Sequence, residues 1–330
     1  MTDSKLIDGY SRNLNYLRIS ITDRCNLRCI YCAPREDFPR LAHEDILRYE
    51  EILRLVNIAV GLGISKVRVT GGEPLIRKGV YEFLARLNAI EGLSDVSLTT
   101  NGVFLKDNIE KIKTAGIKRI NISLDTLDRR KYKKITGADA FQQVWDGIQT
   151  ALKNGFYPIK INMVALRGVN DNELVDFAEL SISHPLHVRF IEHMPFDAIV
   201  KQPDQYLLTP EIKAKIEVLG KLLPINKGIN DGPAERFQFD RSKGEVGFIR
   251  PISRHFCATC NRLRLTANGQ LRSCLLSDRQ EDLRTLLRNG SPDSELAQAF
   301  LTAVRHKPSA HEIKCGQVTR LNGHMSSIGG

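Results

Sequence analysis

Six short runs rich in β-branched residues alternate with longer segments of helical periodicity along the first two thirds of this chain. Most intervals between these runs are about 30 residues, the length of one strand, one helix and their connections. The pattern predicts repeated βα units and a parallel sheet, as either a partial barrel or an open doubly wound sheet. The runs are LRISIT at 17–22, KVRVT at 66–70, VSLTT at 96–100, RINISLD at 119–125, IKINMVA at 159–165 and HVRFIEHM at 187–194.

Helices are predicted between the strands from apolar residues that recur every three or four positions. One such stripe consists of Ile46, Tyr49, Leu53, Val56 and Val60, and Gly61 and Gly63 follow it as a stop signal. A second helix is predicted over 106–115. A third is predicted over 171–183, with Asn170 and Asp171 as its cap signal.

The character of the sequence changes after a further predicted helix at 209–219. The stretch LLPINKGINDGPAE is punctuated by Pro and Gly, which indicates a connection between domains. From about 236 onward, short alternating runs predict an antiparallel sheet, followed by helices at 279–290 and 294–305. We therefore expect one domain over 1–235 and a smaller one over 236–330.

Composition and charge limit the classes of function. No apolar run approaches the roughly 18 to 20 residues that span a bilayer, and the chain starts without the apolar region of a secretory signal. We therefore expect a cytoplasmic protein, in which clustered cysteines are metal ligands rather than disulfides. The net charge of +10 favours an anionic partner. A small phosphorylated ligand is expected rather than nucleic acid or a membrane.

The segment CNLRCIYC places Cys25, Cys29 and Cys32 directly after the first predicted strand. Three thiolates on one tight loop ligate three irons of a cubane and leave the fourth iron without a protein ligand. A molecule with an amino and a carboxylate group, such as the methionine part of S-adenosylmethionine, can chelate that iron. A zinc site would need a fourth ligand, which the nearby sequence lacks, and a redox pair would need only two cysteines.

A second group, Cys257, Cys260 and Cys274, has the spacing C-x2-C-x13-C. Two readings of it stay open on spacing alone. One is a zinc site completed by Cys315 or His255. The other is a second cluster with a vacant iron that holds a substrate.

The cysteine loop together with GGEPL at 71–75 resembles the radical S-adenosylmethionine superfamily, in which the Gly-Gly-Glu-Pro backbone contacts the methionyl amino end. Further motifs resemble the MoaA family, the GTP 3',8-cyclases of molybdenum cofactor biosynthesis. These motifs are LRISITDRCNLRCIYC, VRVTGGEPL, TTNG, NISLD, FIEHMPF, FCATCNRLRLTANGQLRSCLL and a terminal Gly-Gly. The resemblance implies a partial (β/α)6 TIM-like barrel with a smaller C-terminal α+β domain that carries a second 4Fe–4S cluster.

The resemblance also implies the reaction and its partners. The 5'-deoxyadenosyl radical from S-adenosylmethionine abstracts hydrogen from C3' of GTP, and the carbon radical adds to C8 of the guanine. The product is (8S)-3',8-cyclo-7,8-dihydroguanosine 5'-triphosphate, the first intermediate of molybdopterin. An electron donor, the next enzyme (cyclic pyranopterin monophosphate synthase) and a homodimer are the further partners expected.

Residue roles follow from matching positions in that family. Cys25, Cys29 and Cys32 hold the first 4Fe–4S cluster, and Cys257, Cys260 and Cys274 hold the second. The positions that contact S-adenosylmethionine are Tyr31, Gly72, Ser123 and Met194. The positions that contact GTP are Arg18, Arg68, Thr99, Lys160, Arg189, Arg262 and Arg264. Arg262 and Arg264 are also the candidates for a catalytic role, and the Gly329-Gly330 tail is expected to enter the active site.

The strand cations provide a physical argument that does not depend on resemblance. Arg18, Arg68, Lys160 and Arg189 are charged residues within strands otherwise rich in Val and Ile. In a barrel, inward side chains meet in one cavity, where a buried cation needs an anion to offset its desolvation. A triphosphate provides that anion. The alternative is that these cations pair with nearby carboxylates, such as those of Glu73, Asp125 or Glu192.

Arg262 and Arg264 are two positions apart, so on a strand they share one face. They can therefore approach a substrate together beside the second cysteine group. Two rival functions remain open at this point. One is a radical enzyme with an auxiliary cluster that acts on a peptide or RNA, and the other is a zinc-knuckle protein that binds RNA.

Overall fold

The six predicted strands form the centre of one sheet in the computed structural model, which describes residues 6–32, 40–194, 206–226, 228, 232–311 and 325–329. Each pairs in parallel with the next along the chain, as expected for consecutive βα units. They are β1 (Tyr16–Ser20), β2 (Lys66–Thr70), β3 (Asp95–Thr100), β4 (Arg119–Ser123), β5 (Ile159–Ala165) and β6 (Leu186–Glu192).

Seven helices accompany these strands and cover the apolar face of the sheet. They are α1 (Tyr49–Gly61), α2 (Val80–Asn88), α3 (Leu105–Thr114), α4 (Arg129–Thr136), α5 (Phe141–Lys153), α6 (Leu174–Ser183) and α7 (Thr209–Ile216). Alternate strand residues such as Leu17, Ile19, Val67 and Val69 share one buried core with the apolar faces of these helices. The intervening positions carry polar side chains on the other face. This alternation is that of a partial barrel with helices outside and a polar interior.

Two helix predictions were wrong in detail. α1 begins at Tyr49, so Ile46 precedes it, and its most buried residues are Ile52, Leu55, Val56 and Ala59. Asn170 does not cap α6, which begins only after Glu173. The buried side-chain amide of Asn170 instead donates to the backbone carbonyls of Asp125 and Val164. Buried backbone groups need hydrogen-bond partners, and this amide provides them.

The region after 235 does not form a separate antiparallel sheet, as the alternating runs had indicated. β8 (Glu235–Gln238) and β9 (Glu245–Ile249) form one hairpin, and β9 pairs in parallel with β6. β10 (Arg262–Leu265) and β11 (Gln270–Arg272) form another, and β10 pairs in parallel with β1. The two hairpins extend opposite edges of the sheet because each edge strand of a partial barrel leaves backbone groups unpaired.

Two short strands and the remaining helices complete the described elements. β7 (Leu223–Ile225) lies at one end of the twelve-stranded order and β12 (Gln280–Asp282) at the other. The predicted helix at 279–290 is shorter than expected, since 280–282 pair with β11 and α8 (Leu283–Arg288) starts afterwards. α9 (Asp293–Arg305) confirms the last predicted helix and packs against α1. The chain closes with α10 (Met325–Ile328).

Candidate active site

The first cysteine group lies at the carboxyl end of β1, where parallel sheets place their active sites. Cys25, Cys29 and Cys32 line a cavity of about 190 Å³, and none of the six cysteines in the described part of the chain is in a disulfide. Burial raises the pKa of Cys25, and burial and the nearby carboxylate of Asp125 raise the pKa of Cys29 well above its ordinary value. These thiols need a bound cationic group to exist as thiolates.

The spacing of the sulfurs distinguishes a cluster from a single ion. Within the described ranges, neither cysteine triad brings three sulfurs within 4.8 Å of one another, as ligands of one tetrahedral zinc would be. A cubane presents its irons at separate corners, so its thiolates stand farther apart. The first triad therefore lacks the close sulfur spacing of a mononuclear zinc site, and three cysteines are the number that a cubane with one open iron needs.

The Gly-Gly-Glu-Pro segment is locked to the cysteine loop by its backbone. The amide of Gly72 donates to the carbonyl of Thr22 at 2.7 Å, and the amide of Glu73 donates to that of Arg24 at 2.8 Å. A Cβ on Gly72 would lie 2.3 Å from the Arg24 oxygen, so only glycine fits there. The fully buried Glu73 carboxylate accepts bonds from the Asn101 amide at 2.6 Å and the Thr100 hydroxyl at 2.8 Å.

All four residues predicted to contact S-adenosylmethionine line the first cavity, namely Tyr31, Gly72, Ser123 and Met194. The Tyr31 hydroxyl donates to Asp125 at 2.5 Å, and Asp125 also accepts from the amide of Val164 at 2.8 Å. Burial raises the pKa of Asp125 to about 6. Thr99, which was predicted to contact GTP, lines this same cavity, so it lies beside the first site.

The second cysteine group lines an adjoining cavity of about 70 Å³. Cys257, Cys260 and Cys274 share it with Arg262 and Arg264. Met194 lines both cavities, so the two sites are neighbours although their cysteines are more than 220 positions apart. The tertiary structure therefore brings the two triads to one active-site region.

A pair of histidines also lies close to Cys257. Ligand atoms of His255, Cys257 and His311 lie within 4.8 Å of one another, and the two imidazole rings are 3.9 Å apart. This group is compatible with a single ion, but it leaves out Cys260 and Cys274. Cys315, the other ligand considered for a zinc site, lies outside the described residues.

The predicted strand cations meet on the polar face of the barrel. In the strand register Arg18 lies opposite Arg68 on one side and Arg264 on the other. Arg189 donates to the side-chain oxygen of Asn121 at 2.7 Å, and Asn121 is in register with Lys160. Arg18, Arg68, Arg189 and Arg264 are each less than one tenth exposed. Such burial of like charges is unfavourable unless an anion joins them.

The alternative of carboxylate pairing does not account for these cations. Across the described residues, no ion pair within 4 Å joins Arg68, Lys160 or Arg189 to a carboxylate. Glu192 accepts instead from the amides of Thr209 and Ser253, each at 2.9 Å. The Glu73 and Asp125 carboxylates are likewise occupied by amides and hydroxyls.

The burial of these cations beside one another lowers their pKa values. Burial, followed by the charges of Arg189 and Arg68, lowers the pKa of Lys160 to about 6. Burial and neighbouring charges also lower the pKa of Arg189 to about 9, and burial and the charge of Arg262 lower that of Arg264 to about 10. A polyanionic ligand would reverse these shifts by favouring the charged forms.

Tyr16 and Lys66 lie beside these cations and were missed by the sequence reading. The Tyr16 ring lies 5.0 Å from the Lys66 ammonium, 5.6 Å from the Arg68 guanidinium and 5.8 Å from that of Arg262. Its buried hydroxyl has no hydrogen-bond partner among the described groups. The signal was present, because Tyr16 and Lys66 stand two positions before Arg18 and Arg68 and so share their faces.

The C-terminal tail reaches the same interior. Arg264 donates to the carbonyl of Gly329 at 2.7 Å, and a Cβ on Gly329 would lie 2.5 Å from the Thr70 side chain. Met325 of α10 also lines the first cavity, which the sequence gave no reason to expect. The expected entry of the tail is thus observed for Gly329, while Gly330 lies outside the described residues.

Comparison with known proteins identifies the family. Residues 19–181 match the radical SAM superfamily, and residues 186–313 match Molybdenum Cofactor Synthesis C. The chain is 49% identical to the GTP 3',8-cyclase of Moorella thermoacetica, over 98% of this chain and 99% of that protein. It is 47% identical to the GTP 3',8-cyclase of Heliobacterium modesticaldum, over 98% and 100% of the two chains.

The fold is also found among solved structures. The crystal structure of Streptococcus suis SuiB bound to S-adenosylmethionine superposes with a TM-score of 0.60 at 14% identity. The match covers 83% of this chain and 65% of that one, so the chain spans slightly less than two thirds of that structure. At this identity the likeness concerns the fold alone.

The partial barrel, the three-cysteine loop after its first strand and the first family match together define a radical S-adenosylmethionine enzyme. Within that class, the chain belongs to the GTP 3',8-cyclase family of molybdenum cofactor biosynthesis. The cofactors of this family are S-adenosylmethionine and two 4Fe–4S clusters. No helix in the described part of the chain is long and apolar enough to cross a bilayer.

Proposed function

We propose that this chain converts GTP to (8S)-3',8-cyclo-7,8-dihydroguanosine 5'-triphosphate within the joined cavities at the carboxyl ends of its strands. The observation that carries the proposal is the convergence of two cysteine triads and a set of strand cations, of which Arg68, Lys160 and Arg189 form no ion pair with a carboxylate among the described residues. One triad with cations would suit many anionic ligands. Two triads beside a polyanion site match the cofactors and substrate of the family.

The first site holds S-adenosylmethionine in this proposal. Cys25, Cys29 and Cys32 ligate the first cluster, which when bound supplies the electron that cleaves S-adenosylmethionine to a 5'-deoxyadenosyl radical. The Gly72 backbone receives the methionyl end, because glycine allows this segment to pack against the cysteine loop and to line the first cavity. Tyr31, Ser123 and Met194 enclose the rest of the ligand and fix its distance from the second cavity.

The second site holds GTP in this proposal, with the guanine beside Cys257, Cys260 and Cys274, the ligands of the second cluster. The triphosphate lies against the cations on the barrel face, where its charge offsets their burial. The residues assigned to GTP are Arg18, Arg68, Thr99, Lys160, Arg189, Arg262 and Arg264. Tyr16 adds a hydroxyl donor to this set, since its own partner is lacking in the described structure.

Arg262 and Arg264 have the catalytic role in the later steps. Both line the second cavity, and their fixed charges would stabilise the negative charge that arises on the guanine when the cyclised radical takes up one electron from the external donor, before a proton completes the product. Arg264 is held in place by its bond to the Gly329 carbonyl, so the C-terminal tail orients this guanidinium. The tail also fills part of the barrel interior and excludes water from the reaction.

Three further parts of the proposal concern the protein's surroundings. The reaction requires an external electron donor, and its reactive product calls for transfer to cyclic pyranopterin monophosphate synthase. We place the enzyme in the cytoplasm, where a reducing environment preserves exposed cysteines and clusters. A homodimer is expected, and sedimentation of the anaerobic protein would test it.

Iron content and turnover test the assignment of the two triads. We expect about eight irons per chain after anaerobic purification, and about four after Cys25, Cys29 and Cys32 or Cys257, Cys260 and Cys274 are replaced together by Ala. The second triple variant should still bind S-adenosylmethionine but should produce no cyclised nucleotide. Zinc with little iron, or turnover on a peptide without turnover on GTP, would overturn the proposal.

A further inference from the structure

Two buried cations, Lys307 and Arg12, lie beside the second cysteine site and have no role in the account above. Lys307 follows α9 and is only 4% exposed. Its ammonium donates to the carbonyl of Arg262 at 2.9 Å and to the carbonyl of Ser273. The ammonium also lies near enough to Cys260 to interact with it electrostatically. Lys307 therefore joins the strand after Cys260 to the segment that leads into Cys274.

These contacts fit a charged ammonium group. A lysine ammonium has three N–H donors and no acceptor, and the acceptors at Lys307 are two backbone carbonyl oxygens. A buried ammonium held by two carbonyls keeps a fixed orientation, so the position of this charge is defined by the fold.

Arg12 joins the segment of Cys257, the remaining cysteine of the second group, to the residues that follow Lys307. Its guanidinium donates to the Cys257 carbonyl at 2.7 Å, to the Pro308 carbonyl at 2.6 Å and to the Ser309 carbonyl at 3.0 Å. Asp8 accepts from Arg12 at 2.6 Å and fixes its direction. The two cations together contact the backbone beside all three cysteines of the second group.

The two cysteine triads lie in electrostatic surroundings of opposite sign. Carboxylates line the cavity of the first triad, namely those of Asp125 and Glu192. Cations lie around the second triad: Arg262 and Arg264 line its cavity, and the Lys307 ammonium donates to the carbonyl of Ser273, next to Cys274. Nearby charge and hydrogen bonds to sulfur set the reduction potential of an iron–sulfur cluster.

We infer that Lys307 is a positioning residue of the second cysteine site, whose fixed charge raises the reduction potential of the cluster bound there above that of the first. The inference rests on the proposed function, in that Cys257, Cys260 and Cys274 are taken as cluster ligands. Positive charge favours the reduced, more negative form of a cluster, and the carboxylates at the first site favour the oxidised form. The first cluster is thereby the stronger reductant.

The test is a redox titration of the full-length protein, reconstituted anaerobically with both clusters and followed by electron paramagnetic resonance. In Lys307→Met we expect the potential of the second cluster to shift to a lower value and that of the first to stay unchanged. Lys307→Arg retains the charge and should keep the second cluster near its unmodified potential. Lys118→Met, an exposed lysine before β4, is the matched control and should shift neither cluster.

The outcomes separate this inference from the proposed function. About eight irons with an unmoved second potential in Lys307→Met would overturn the inference alone. If Lys307→Met loses the second cluster, Lys307→Arg decides, since loss in both variants contradicts a role for the charge. About four irons in the unmodified protein would overturn the cluster assignment and this inference with it.

Discussion

Lys160 has a pKa that is shifted far enough for the shift to be tested by experiment. Its pKa of about 6 lies well below that of an ordinary lysine, because it is buried and faces Arg189 and Arg68. At pH 8 the free enzyme therefore holds this amine mostly in its neutral form. A triphosphate beside it favours the ammonium and raises the pKa again.

We predict that GTP binding at pH 8 takes up a proton at Lys160. Titration calorimetry in two buffers of different ionisation enthalpy measures this uptake as a difference in observed heat. Lys160→Met should bind GTP more weakly and remove most of the difference, which also corrects for any proton taken up by the nucleotide itself. Equal proton uptake in the variant and the unmodified protein would show that Lys160 does not face the phosphates.

Substitution of Tyr16 tests whether a residue that the sequence analysis missed contacts GTP. Tyr16→Phe removes the hydroxyl but keeps the ring that faces Lys66, Arg68 and Arg262. A hydrogen bond to a charged group is worth about 1.5–3 kcal/mol, so GTP affinity should fall by about tenfold or more. S-adenosylmethionine binding is the internal control and should be unchanged. Unaltered GTP affinity would exclude a contact from this hydroxyl.

At the scale of elements, the close approach of the Gly72 segment to the cysteine loop is the feature most sensitive to substitution. Gly72→Ala would place a Cβ 2.3 Å from the Arg24 carbonyl oxygen, which belongs to the backbone and cannot rotate away. We expect a loss of about 1–3 kcal/mol in the free energy of unfolding and weaker S-adenosylmethionine binding. Denaturant titration and ligand binding under anaerobic conditions measure the two effects.

Gly61→Ala is the control for that substitution. Gly61 is the last residue of α1, and a Cβ there meets no atom within 4 Å. Alanine in a helix costs less backbone entropy than glycine, so the variant should be as stable as the unmodified protein or more stable by up to about 1 kcal/mol. Equal destabilisation by both substitutions would mean that the contact with Arg24 is not the cause.

At the scale of the whole molecule, the sheet depends on strands from both ends of the chain. β9 covers the open edge of β6, and β10 covers the open edge of β1, so the residues after 235 complete the barrel on two sides. The boundary expected near 235 remains a prediction about sequence organisation. The pairing indicates that the two parts depend on each other for stability.

We predict that a fragment of residues 1–235 does not fold stably alone. It would leave β1 and β6 with unpaired backbone groups and would expose part of the apolar core, so it should aggregate or lack a cooperative transition. Gel filtration and thermal unfolding monitored by circular dichroism would show this. A monomeric fragment with its own cooperative transition would establish independent domains instead.

Local sequence determined the strands, the cysteine spacing and the resemblance that named the family, because strand propensity and loop chemistry act over a few residues. The strand cations were found in the same way, as charges within apolar runs. Tyr16 and Lys66 were available from the same two-residue period and were overlooked. Each of these features lies within a short segment, so it can be recognised without knowing where distant parts of the chain lie.

Tertiary structure alone decided how distant segments meet. No local signal links Arg12 to Cys257, 245 positions away, or Lys307 to Arg262, 45 positions away, because each pair meets only in the folded chain. The pairing of β10 with β1 places Arg264 beside Arg18, and the tail lies beside Arg264. The sequence could therefore indicate which cysteines form each site. The charge around each site arises from long-range packing, which propensity and spacing do not encode.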